Sequence, residues 1–151
     1  MKQKFIDAYM DVAERFSQLS SAERLQVGAI VVKDDRIISI GYNGMPSGWD
    51  NCCEEPALNV VGVGKDGKDI VELYLKTKPE VLHAESNAIA KLARSPESGE
   101  GASIFITHSP CIDCAKLIYQ SGIATVYYKN DYRSTQGIEF LNRSDIEVVK
   151  V

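Results

Sequence analysis

From Leu82 onward the chain alternates between helix-patterned and strand-patterned segments, and this restricts its possible folds more than any other feature. His83–Arg94 carries Ala84, Ala88, Ile89, Leu92 and Ala93 at helical spacing. Ile104–Thr107 is a short apolar run suited to a buried strand, Cys111–Ser121 is helical up to the stop signal Gly122, and Thr125–Tyr128 is a further strand. A short helix over about Thr135–Asn142 and a last strand, Glu147–Val151, close the series. Strands joined through helices pair in parallel, because a right-handed crossover returns each strand to the side of the one before. Upstream, Phe5, Ile6, Tyr9, Val12, Ala13 and Phe16 predict an amphipathic helix over about Lys2–Leu19. Val27–Val32 and Ile37–Tyr42, joined by the polar Lys33-Asp34-Asp35-Arg36, predict a β-hairpin. The expected architecture is α/β: a three-layer α/β/α domain spanning residues 1–151, with a mixed five-stranded sheet and helices on both faces.

Two stretches do not fit this alternation. Gly41–Gly48 holds three glycines and a proline and is expected to leave the strand pattern as a shaped loop. Residues 49–80 contain Cys52-Cys53, a Gly62–Lys68 turn region and the apolar run Ile70–Leu75, and are expected to be an insertion with little regular structure. Trp49, the single tryptophan, is expected to anchor that insertion to the domain.

The functional signal lies in two short motifs, each where a helix begins. The first is His83-Ala84-Glu85 and the second Pro110-Cys111-Ile112-Asp113-Cys114. One imidazole and two thiolates supply three ligands of a tetrahedral zinc ion and leave a fourth position for water. Cys111 and Cys114 are one helical turn apart, and a helix N-terminus favours the ionised thiol. Glu85, in the first turn after His83, is placed to reach beside the metal without binding it, which is where a general acid/base must stand. Either motif alone is weak: His-x-Glu is common, and Cys-x-x-Cys serves redox pairs and structural zinc sites. A structural site requires a fourth strong protein ligand, and a redox pair has no need of His83 or Glu85. Together, in this order, they form the signature of zinc deaminases.

Composition narrows the partners. Seventeen basic residues against 21 acidic leave a net charge of −4, which argues against a nucleic acid polymer as partner. No apolar run approaches bilayer length and no signal-peptide core follows Met1, so no membrane partner and a cytoplasmic location are expected. The four cysteines fall in two close pairs, a spacing that favours metal or redox chemistry over a disulfide framework.

Here the sequence resembles the cytidine deaminase-like superfamily. Val27-Gly28-Ala29, the Gly41–Gly48 loop, His83 through Ile89 and Ser109 through Lys116 are similar to the deoxycytidylate deaminase branch, over about residues 20–130. The resemblance implies hydrolytic removal of the 4-amino group of deoxycytidine monophosphate (dCMP), with one catalytic Zn2+ on His83, Cys111 and Cys114 and with Glu85 as proton shuttle. It implies that the Ala84 N–H holds the pyrimidine 2-oxo group, that the Ser109 carbonyl meets the 4-amino group or the water, and that Asn43 meets the sugar 3′-hydroxyl. Tyr132 corresponds to a position near the phosphate, and charge alone adds Arg24, Lys129 and Arg133 as phosphate candidates. It further implies a homo-hexamer activated by dCTP and inhibited by dTTP, with Mg2+ accompanying the triphosphate. Gly41, Tyr42, Asn43, Gly44, Met45 and Gly48 are the expected effector-site residues. Gly48 through Cys53 is similar to an insertion that binds a second, structural zinc in viral members. With only His83 and His108 in the chain, that site lacks its histidines, and Cys52 and Cys53 are expected to be free thiols. His108, just before Ser109, is expected at the rim of the active site. The competing readings are another cytidine or nucleoside deaminase of the superfamily and a noncatalytic zinc-binding module.

Overall fold

The computed structural model describes all 151 residues. Helix α1 (Gln3–Ser17) leads into β1 (Gly28–Lys33) and β2 (Arg36–Tyr42), followed by β3 (Glu54–Val63) and β4 (Asp69–Thr77). Then come α2 (Ala84–Ala93), β5 (Ser103–His108), α3 (Ile112–Gln120), β6 (Thr125–Asn130), α4 (Gln136–Arg143) and β7 (Glu147–Lys150). The main sheet has five strands in the order β2-β1-β5-β6-β7. β1 pairs antiparallel with both β2 and β5, whereas β5, β6 and β7 run parallel, so the sheet is mixed as expected.

Strand alternation divides the core into two layers. Ala29, Val31, Ile104, Ile106 and Val126 face α2, α3 and α4, where they pack with Ala84, Ala88, Leu92, Ala115, Ile118 and Leu141. Their neighbours Ile30, Val32, Phe105 and Tyr127 point to the opposite face and meet Ile6, Met10 and Ala13 of α1. Phe105 stacks on Tyr127 with ring centroids 4.6 Å apart, a contact that fixes the β5–β6 register beneath α1. The result is three layers, with α1 alone on one side. No helix is long and apolar enough to cross a membrane.

Two glycines set how closely the helices approach. A Cβ on Gly28 would lie 2.1 Å from the carbonyl oxygen of Ala13 in α1. One on Gly41 would lie 2.0 Å from that of Ala84 in α2. Each position therefore requires hydrogen as its side chain, and the two notches hold helices on opposite faces of adjacent strands.

The structure corrects three expectations. Residues 49–80 are not irregular: β3 and β4 form a nine-pair antiparallel hairpin arm with a bulge between Val60 and Gly62, a two-stranded sheet separate from the main one. Its turn is closed by the Gly64 N–H to the Lys68 carbonyl at 2.7 Å, with Gly67 at φ +78°. Strand β2 continues through Gly41 and Tyr42, because Ala29 and Gly28 pair with them before the loop begins. Trp49 is 57% exposed and anchors nothing; Cys53 does that work, buried against Ala22 and Val81.

Candidate active site

The site forms at the C-terminal end of β5, where the sheet switches from parallel to antiparallel neighbours and a crevice opens. Two helices start there. His83 is the N-cap of α2, and Cys111 is the N-cap of α3, its sulfur accepting from the Cys114 N–H at 3.5 Å. His83 Nδ1 lies 3.6 Å from Cys111 Sγ and 3.4 Å from Cys114 Sγ. Zinc–sulfur bonds of about 2.3 Å and zinc–nitrogen bonds of about 2.0 Å in a tetrahedron give a sulfur–nitrogen edge of about 3.5 Å. The three donors therefore have the spacing that a single zinc ion imposes, and all three ligand atoms lie within 4.8 Å of one another. Imidazole with two thiolates is a donor set that suits zinc and leaves a tetrahedral corner open. Cys52 and Cys53 are free thiols and join no such cluster.

Electrostatics at the site follow from burial and from the shared protons. Burial pushes the Glu85 carboxyl up from its ordinary 4.5 to about 7. The Cys114 thiol donates to Cys111, which drops to about 4 with further help from His83. That same hydrogen bond, with burial, drives Cys114 far above the ordinary thiol range. The pair thus holds one proton between them until a cation displaces it. His83 is raised, chiefly by its hydrogen bond with Cys111. Burial lowers His108, whose Nδ1 lies 3.1 Å from Thr107 Oγ1, so its ring is neutral near pH 7.

A cavity of about 680 Å³ opens above these residues. His83, Ala84, Glu85, Cys111, Ser109, Asn43, His108 and Tyr132 line it, so the residues expected to serve substrate and catalysis meet in one place, with Cys114 just beneath. Ser109 is fixed from two sides: its N–H donates to Asn130 at 2.8 Å, and its hydroxyl oxygen accepts from the Tyr132 N–H at 2.7 Å. Asn43 spends its amide on the neighbouring segment, accepting from the Val27 N–H and donating to the Leu25 carbonyl, both at 2.8 Å. Of the phosphate candidates, Arg24 and Arg133 line the cavity, whereas Lys129 is elsewhere, paired with Glu14 at 2.6 Å. Sequence reasoning missed Tyr74, Lys76 and Lys78, which reach the cavity from the hairpin arm and its exit. The signal was present in the alternation of Val71, Leu73 and Leu75 with Glu72, Tyr74 and Lys76.

Among the loop residues singled out for effector binding, Gly41, Tyr42, Gly44, Met45 and Gly48 do not reach this cavity. They instead fix the start of α2. Gly44 and Leu82 exchange hydrogen bonds at 3.1 and 2.8 Å, and Asn87 donates to the Tyr42 carbonyl at 2.8 Å. Met45 packs on the small cluster of Ala22, Cys53 and Val81.

A zinc-dependent hydrolytic deaminase is the class of enzyme that this fold and donor set define. Residues 3–130 match the cytidine and deoxycytidylate deaminase zinc-binding region. The chain belongs to the cytidine and deoxycytidylate deaminase family. It is 34% identical to the deoxycytidylate deaminase of Enterobacteria phage T4, over 94% of this chain and 87% of that protein. It is 40% identical to ComE operon protein 2 of Bacillus subtilis over 76% of this chain, and spans about half (53%) of that longer relative. The dCMP deaminase of cyanophage S-TIM5, solved with dCMP and dUMP, superposes with a TM-score of 0.85 at 47% identity, covering 100% of this chain and 99% of that one.

Proposed function

We propose that the protein converts dCMP and water to deoxyuridine monophosphate and ammonia. The observation that carries this reading is the charge lining the catalytic cavity: Arg24, Lys76, Lys78 and Arg133 against Glu54, Glu85 and Asp113, a basic excess in a protein of net charge −4. A nucleoside gives these cations nothing to bind, whereas a 5′-phosphate gives them charge-assisted hydrogen bonds. The names of the phage relatives point the same way.

The chain's own groups divide the work. His83, Cys111 and Cys114 would hold zinc, which when bound supplies a Lewis acid that makes water a nucleophile at neutral pH. Glu85 accepts one proton from the water as it adds to C4 of the ring and hands it to N3. It then takes the proton of the new C4 hydroxyl and passes it to the amino group, whose C–N bond breaks to release ammonia. Ala84, the first residue of α2, has an N–H without an intrahelical acceptor and can donate to the 2-oxo group. The Ser109 carbonyl orients the 4-amino group, Asn43 meets the 3′-hydroxyl, and Tyr132 closes over the sugar-phosphate beside Arg133, whose guanidinium sits 5.6 Å from its ring.

Control by dCTP and dTTP at Gly41, Tyr42, Asn43, Gly44, Met45 and Gly48, with Mg2+ on the triphosphate, extends the proposal. What supports it is mechanical: the loop is bonded to Leu82, the residue before His83, so a ligand that shifts the loop shifts a metal ligand. A homo-hexamer in the cytoplasm completes it. The deciding measurement is kcat/KM for dCMP against deoxycytidine, with and without each triphosphate. A strong preference for the nucleotide, reduced at least tenfold by Lys76→Met together with Arg133→Met, is expected. Equal turnover of the two substrates would refute the nucleotide assignment.

A further inference from the structure

The arm formed by β3 and β4 has two unlike faces. Pro56, Leu58 and Val60 pair across the ladder with Leu75, Leu73 and Val71, and cross-strand partners share a face. The intervening pairs, Glu55 with Lys76, Ala57 with Tyr74 and Asn59 with Glu72, occupy the other. Tyr74 and Lys76 of this second face line the catalytic cavity, so the apolar face is turned away from it. On that apolar face Leu58 and Leu73 are each 68% exposed, Val60 56% and Val71 53%. A two-stranded hairpin is marginal in water by itself, and a contiguous apolar patch of this size marks a surface made to be covered.

We infer that the apolar face of the arm docks on the same face of a second copy of this chain. Three observations select that occupant. First, the strip formed by Pro56, Leu58, Val60, Val71, Leu73 and Leu75 contains no charge, so two copies meet without opposing like charges even though each chain carries −4. Second, an isologous contact sets the strip on itself, leucine and valine facing leucine and valine across a two-fold axis at ordinary sheet-packing distance. Third, Leu58, Leu73, Val60, Val71 and Leu75 are all exposed, a strip on the order of a few hundred Å² per chain, and pairing two such strips is the scale of the ~1,000 Å² that specific interfaces require. A lipid surface is disfavoured, because both outer edges of the two-stranded sheet would carry unpaired backbone groups into hydrocarbon.

The inference names a surface for the assembly proposed above and rests on that assembly. Sedimentation of the full-length, zinc-loaded protein tests both, beside the double variant Leu58→Glu/Leu73→Glu and the opposite-face variant Asn59→Glu. The wild type is expected to be oligomeric, the double variant to fall to half that mass or less with its zinc content intact, and Asn59→Glu to keep the wild-type mass. As a second readout, Leu73→Cys in a Cys52→Ser background is expected to give a disulfide-linked pair of chains on mild oxidation, which Cys52→Ser alone does not give. A monomeric wild type overturns the assembly and the surface together. An oligomeric wild type whose mass survives the double substitution, or a Leu73→Cys protein that does not cross-link, overturns the surface alone.

Discussion

Glu85 is fully enclosed at the first turn of α2, beside two thiols and an imidazole, and this placement lets one carboxyl act as both base and acid. Glu85→Gln removes the proton carrier while leaving all three metal ligands. It is expected to keep about one zinc per chain by elemental analysis and to lose between about 10² and 10⁴-fold in kcat. The raised carboxyl also makes a stability prediction for the zinc-stripped protein. Its folded-state value of about 7 lies above the ordinary 4.5, so the folded state holds a proton that the unfolded state has lost. The stabilisation from Glu85 is therefore complete below pH 4.5, declines as pH rises, and is gone above about pH 7. Comparing denaturant unfolding of stripped wild type and stripped Glu85→Gln from pH 4.5 to pH 8 should show a relative loss in the wild type on the order of 3 kcal/mol. A flat difference would mean that Glu85 is not held protonated. The thiols differ in the same state: Cys111, with a value near 4, is expected to be alkylated fast at pH 7 and Cys114 slowly, by mass spectrometry of peptides. Zinc should protect both.

At the scale of elements, the notches at Gly28 and Gly41 seat α1 and α2, but only α2 carries site residues. Gly28→Ala and Gly41→Ala each force helix backbone away from the sheet and are expected to cost about 1–3 kcal/mol in unfolding free energy. Gly41→Ala alone should also weaken zinc binding in competition with a chromogenic chelator, because it displaces Ala84 next to His83. Equal zinc affinity in the two variants would show that the notch sets stability and not the site. The elements themselves were largely legible in the sequence. The helices bury one stripe and the central strands β1 and β5 bury both faces, so periodicity and apolar runs marked the elements to within a residue or two. His83, Glu85, Cys111 and Cys114 were legible because metal chemistry demands those residue types at helix starts. The arm was only half legible, for a physical reason. Its apolar residues are not buried within the chain, and Gly62 and the bulge after Val60 break in β3 the alternation that β4 keeps, so one strand alone carried the signal. Its contribution of Tyr74 and Lys76 to the cavity was missed with it. The Gly41–Gly48 loop was legible as a special shape, but not as the clasp on Leu82 that the structure shows.

At the scale of the whole molecule, the ligands come from two helices on either side of β5 in the sequence. His83 is 28 residues from Cys111 and 31 from Cys114. Between them runs β5, the middle strand of five, with its neighbours β1 and β6 on either hand. Zinc binding therefore closes a covalent-like ring around the centre of the sheet. In polymer terms a permanent cross-link of that loop length would remove roughly 3–4 kcal/mol of chain entropy from the unfolded state. Chelation is thus expected to do more than abolish turnover. It should lower the melting temperature and raise hydrogen exchange at Ile104–Ile106 more than in α1, which lies outside the ring. Uniform protection in the stripped protein would show that the sheet holds its centre without help. The catalytic ion is then also a reversible staple, and a cell that starves the protein of zinc would lose folded protein along with activity.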